Sequence, residues 1–156
     1  MKFTERQQKF IQEMHNNLNL LQKSLDNLDY SYQKCLPCLD KDNCNLEELE
    51  SLEALAARFA RASDVFIHKV VKTLLILLQA MPKTVIDTAN FLEKLGVVTQ
   101  AEQLLMIREL RNVIAHDYVI ENRKDLFIQT MQMVDILKLM SEQISNYFYL
   151  KFQEDS

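Results

Sequence analysis

Apolar residues recur every three or four positions along most of this chain. Phe10, Met14, Leu18, Leu21, Leu25, Leu28 and Tyr32 form the first stripe, which predicts an amphipathic helix over about residues 4–34. The periodicity lapses over 35–45, where Pro37 stands among Asp, Asn and Lys residues, and this stretch reads as a loop. It resumes at Leu46 and runs through Leu49, Leu52, Leu55, Phe59, Ala62, Phe66 and Val70 to Leu77, predicting a second long helix stopped by Pro82.

A shorter helix is expected over about 82–95, with Pro82 near its first turn and Gly96 terminating it. Thr99-Gln100-Ala101-Glu102 has the form of a capping box, so a fourth helix should begin at about Gln100 and run to Ala115 or His116. After a charged break over 121–124, Leu126, Met133, Leu137, Met140, Ile144 and Tyr147 form the stripe of a last helix ending near Phe152. No alternating pattern competes. The expected fold is all-α, an up-and-down bundle of four long helices plus one short helix, in a single domain over 1–156.

Composition agrees with this reading, since one Gly and two Pro in 156 residues leave little material for turns. Eighteen basic against 22 acidic side chains give a net charge of -4, which argues against a protein that coats nucleic acid and leaves room only for a local basic cleft. The longest run without a charged residue, 73–82, is too short for a membrane span. The start, Met1-Lys2-Phe3-Thr4-Glu5-Arg6, has no signal-peptide character, so a cytoplasmic protein is expected. Cys35, Cys38 and Cys44 have the spacing of half a zinc site with no fourth ligand nearby. They read as thiols of a loop, or as half of a metal site shared between subunits, and neither a metal nor another cofactor is expected.

One stretch carries chemistry: Arg111-Asn112-Val113-Ile114-Ala115-His116-Asp117-Tyr118. A histidine can move a proton near neutral pH, and an arginine is a permanent cation whose fork of donors suits phosphate. Five positions turn an α-helix by about 500°, so Arg111 and His116 stand about 140° apart around the axis. Arg108, Asn112 and His116, spaced by four, share one stripe. The site therefore calls for a helix that ends or distorts before His116, an arginine that wraps round, or a second subunit. On the second long helix, Arg58, Arg61, His68 and Lys72 fall near multiples of the helical repeat and form a candidate RNA-binding stripe. Its alternative is a solvated face, with Asp64 as the local partner of His68.

The order of helices and the pattern of Arg, four residues, His, one residue, Tyr resemble the HEPN superfamily, and within it the HepT-like branch. Arg111, His116 and Tyr118 fill the pattern, and Asn112 supplies the polar residue after the arginine. The resemblance covers roughly 46–144 and implies a metal-independent endoribonuclease toxin. His116 would transfer the proton and Arg111 clamp the phosphate, with Asn112 and Arg108 in support. The ribose 2′-hydroxyl would attack phosphorus to leave a 2′,3′-cyclic phosphate. It further implies a homodimer with two motifs in the cleft between subunits, and an antitoxin partner, a nucleotidyltransferase that adds AMP to Tyr118. Two other readings stand beside it: a non-catalytic binding subunit of a small nucleotidyltransferase, and a helical scaffold in which the Arg-His pair is structural. His15, on the first helix, is expected to be structural.

Overall fold

The computed structural model describes residues 2–116 and 124–153. Helix α1 (Glu5–Cys35) begins where Thr4 and Gln7 satisfy each other: Thr4 Oγ1 accepts from the Gln7 N–H at 3.1 Å, and Gln7 Oε1 accepts from the Thr4 N–H at 2.9 Å. A 3₁₀ turn (Leu36–Cys38) carries Pro37 and leads into the loop before α2 (Leu46–Asp64). Asn45 and Glu48 form the same reciprocal box at the start of α2, with bonds of 2.8 and 3.2 Å.

The helical path continues past Asp64, but it widens. Val65–Val71 is a π-helical stretch, followed by α3 (Lys72–Leu77). The residues buried there, Val65, Phe66, Val70 and Val71, form two pairs five apart. An i to i+5 hydrogen-bond repeat brings such pairs close to one side, whereas a regular α-helix would set them about 140° apart. The chain leaves the helix after Leu77 through Gln79 at φ 55°, so the stop lies ahead of Pro82. Likewise α4 (Val85–Lys94) starts after Pro82, at Thr84, whose hydroxyl accepts from the Asp87 N–H at 3.0 Å. Gly96 ends it in the left-handed region at φ 75°, as its position predicts.

Helix α5 (Ala101–His116) opens without the expected box. The Ala101 N–H donates to Glu93 Oε2 at 2.6 Å, and Thr99 Oγ1 accepts from Gln143 Nε2. A carboxylate on the preceding helix thus does the capping, because the tight turn at Gly96 brings the end of α4 over the start of α5. Helix α6 (Lys124–Lys151) closes the bundle.

No strand occurs among the described residues, and the architecture is the expected all-α bundle of four long helices and one short one, counting α2, the π stretch and α3 as one long unit. Helix α1 packs along that whole unit, and α2 also meets α5 and α6. Phe59, Phe66, Phe148, Met14, Leu28 and Ile107 are among the fully buried core. Each such side chain contributes about 1.5–3 kcal/mol by leaving water. His15 packs its ring edge-on against Phe148 at 5.2 Å and beside Tyr149 at 5.6 Å, the structural role expected of it. Among the described residues, no helix is long and apolar enough to cross a membrane.

Candidate functional site around Arg111 and His116

Helix α5 is a regular α-helix through His116, so the chain does not end or distort between Arg111 and His116. Their separation of about 140° around the axis therefore stands. On the inner side Ile107, Leu110 and Ile114 are buried in the core; Arg111 borders that strip, while His116 lies on the opposite, outward side of the helix. Arg111 and Asn112 are partly buried, while Arg108 and His116 are exposed on the stripe they share with Asn112.

Arg111 does not wrap round its own helix. It crosses to Asp64 at the end of α2, where Nε donates to Oδ1 at 2.6 Å and Nη2 to Oδ2 at 3.0 Å. This bidentate pair holds a planar group by two parallel bonds, so it fixes direction as well as distance. The hydrogen bonds it donates to Asp64 push the guanidinium pKa above its already high value, and Arg111 stays charged at every accessible pH. The guanidinium side chain keeps 31% of its surface in water. Asp64 takes two of its five N–H donors.

Asp64 also faces His68 Nε2 at 3.9 Å, one turn along its own helix, which is the local pairing the spacing suggested. The His68 ring is largely exposed, 72% of its side chain. It projects from the π stretch that begins immediately after Asp64. Arg111, Asp64 and His68 thus form a chain of polar groups joining α5 to the α2 unit, with Asp64 at its centre. Among the described residues, Glu109, a near neighbour in sequence, does not hold Arg111 in this way.

The basic stripe expected on the second long helix does not hold together. Arg58 turns toward α1, where Nη1 donates to the Asn27 carbonyl at 3.1 Å and to Ser31 Oγ at 3.0 Å, and its guanidinium lies 5.8 Å from the Tyr30 ring centre. Arg61, His68 and Lys72 are exposed. The π stretch carries one residue more than an α-helix needs, which rotates Lys72 by about 100° relative to the Arg58 and Arg61 side. Tyr118, the expected modification site, lies outside the described residues.

Two features of this site escaped the sequence. Asp64 was legible as a partner of His68, four residues away, but its pairing with Arg111 spans 47 positions and has no local signature. The π stretch did have one, the five-residue spacing of its buried pairs. Among the described residues no group of three or more His, Cys, Asp or Glu side chains is placed to hold a metal ion. Comparison with protein-family models, characterised proteins and solved structures gives no match to the chain in any of the three.

Proposed function

We propose that the protein is a HepT-like endoribonuclease that works as a homodimer, with Arg111 as phosphate clamp and His116 as proton-transfer group. The observation that carries this reading is the two-bond hold of Asp64 on Arg111. A cation fixed in direction, partly exposed and with donors beyond those Asp64 uses, suits a phosphate that gains charge as the 2′-hydroxyl attacks. Asn112 and Arg108 lie on the His116 stripe and would orient the substrate.

Because α5 is unbroken through His116, one chain presents its arginine toward α2 and its histidine toward solvent. A second copy supplies the missing half: His116 of one subunit would meet Arg111 of the other. Met106 and Val113, exposed on the same outward side of α5 as His116, offer the apolar surface such a contact would bury. Addition of AMP to Tyr118 by a partner nucleotidyltransferase would set phosphate and nucleotide beside this cleft and close it to RNA.

The purified protein should cleave single-stranded RNA in the presence of EDTA and leave 2′,3′-cyclic phosphate ends. His116→Ala should lower the rate by about 10²–10⁴ and, being an exposed change, leave stability within about 0.5 kcal/mol. Equal, negligible cleavage by both proteins across a panel of RNAs would reject the proposal. The same ion pair favours one alternative, in which Arg111 is a structural tie between α2 and α5 and the chain is a non-catalytic binding subunit of a nucleotidyltransferase. Stable complex formation without RNA cleavage is the result that would select it.

A further inference from the structure

Away from α5, the 35–45 segment brings three free thiols together. Cys35 closes α1 and is fully buried, Cys38 closes the 3₁₀ turn and is buried, and Cys44, next to the Asn45 cap, is partly exposed. The chain doubles back between the last two: the Leu39 N–H donates to the Leu36 carbonyl at 3.3 Å and the Lys41 N–H to the Cys38 carbonyl at 3.4 Å. Cys38 and Cys44 consequently line one cavity of about 240 Å³, walled by Leu49, Leu52 and Phe127. That volume admits a molecule the size of a hydroperoxide, since a water takes only about 30 Å³ in the liquid.

We infer that Cys38 and Cys44 form a reversible dithiol site that hydroperoxides oxidise to a disulfide, with Cys35 left out. The accessible sulfur reacts first. Cys44, as thiolate, attacks the peroxide and breaks its O–O bond, giving Cys44 sulfenic acid and releasing hydroxide or alkoxide. Cys38 then attacks that sulfur; the S–O bond breaks and the departing hydroxide leaves as water with the Cys38 proton. Both thiols together lose two electrons and two protons, and the peroxide takes them up. A thiol reductant reverses the step.

Cys35 stays apart for a geometric reason: it is fully buried and does not line the cavity that Cys38 and Cys44 share. Burial pushes its thiol up to about 11, and burial raises the Cys38 thiol as well. The site has a mechanical consequence as well. The Cys38 thiol donates to Glu48 Oε2 at 3.5 Å, and Glu48 also accepts from the Asn45 N–H and pairs with Lys41 Nζ at 2.8 Å. The Lys41 carbonyl in turn accepts from Nζ of Lys124, the first residue of α6, at 2.6 Å. Forming the disulfide removes the thiol donor and re-poses the turn that carries Lys41. The redox state of the loop is thereby transmitted to the start of α6.

The test uses the full chain, treated with hydrogen peroxide and with cumene hydroperoxide, then digested with trypsin under non-reducing conditions. Cleavage after Lys34, Lys41 and Arg58 places Cys35 and Cys38 on peptide 35–41 and Cys44 on peptide 42–58. The expected product is the two peptides joined and lighter by about 2 Da than their sum, returned to separate peptides by dithiothreitol. Fragmentation of the joined pair should assign the bond to Cys38, without reliance on any variant. Cys44→Ser should abolish it. Hydrogen exchange over residues 124–130 should rise on oxidation and recover on reduction. Overoxidation of Cys44 with peptide 35–41 keeping both thiols would overturn the inference, as would a bond assigned to Cys35 or unchanged exchange at the start of α6.

Discussion

At the residue scale the decisive side chain is Asp64, because it determines where Arg111 points. A surface pair of two flexible side chains is worth little, but a two-bond carboxylate to guanidinium contact costs far less order to maintain once formed. Asp64→Asn removes the charge and one acceptor, and in this half-solvated setting should lower stability by about 1 kcal/mol, measured by urea unfolding. Under the proposed function its larger effect is on the chemistry: kcat for RNA cleavage should fall while KM changes little, since the arginine remains but is no longer aimed. A drop in stability with an unchanged kcat would leave Asp64 a purely structural tie. Cys35 supplies a second residue-level expectation. Its folded pKa is raised from 9.0 to about 11, so its contribution to stability is complete below pH 9 and is lost as pH rises through about 11. Unfolding midpoints measured across that window should decline, and Cys35→Ala should flatten this part of the decline.

At the element scale, the places where the sequence was legible are those where one local rule decides the outcome. The helix stripes placed α1, α2 and α6 closely because burial of an apolar face dominates everything else in a long helix. Gly96 was legible for a different reason: only glycine adopts φ 75° without cost, and a Cβ built there meets nothing within 4 Å. Gly96→Ala should therefore cost about 1 kcal/mol, through the backbone alone, seen as a fall of roughly 2–4 °C in the melting temperature. A larger loss would mean that the turn itself is remade. The capping box at Thr99 failed because two local signals competed with a tertiary one, and the Glu93 carboxylate won. The π stretch was missed because a spacing of four through Ala62, Phe66 and Val70 fits an α-helix equally well, until Val65 and Val71 are known to be buried too.

At the scale of the whole molecule, the angle between Arg111 and His116 is the constraint that any account of function must meet. The sequence contained this angle, since it follows from five positions of α-helix, but not the answer to it, because the arginine's partner lies 47 residues away on another helix. With α5 intact and Arg111 drawn to Asp64, the proposed site is built from two chains, and this makes a prediction that a single-chain site does not share. Arg111→Ala and His116→Ala proteins should each be inactive alone. Unfolded together and refolded as a mixture, half of the dimers are mixed, and in each mixed dimer one cleft joins the intact Arg111 of one chain to the intact His116 of the other. The mixture should regain about a quarter of the wild-type rate. A site assembled within one chain gives no recovery at any mixing ratio, because every chain then lacks one of the two groups it needs. The size of the recovery, followed as a function of the ratio of the two variants, should peak at equal amounts and vanish at either end.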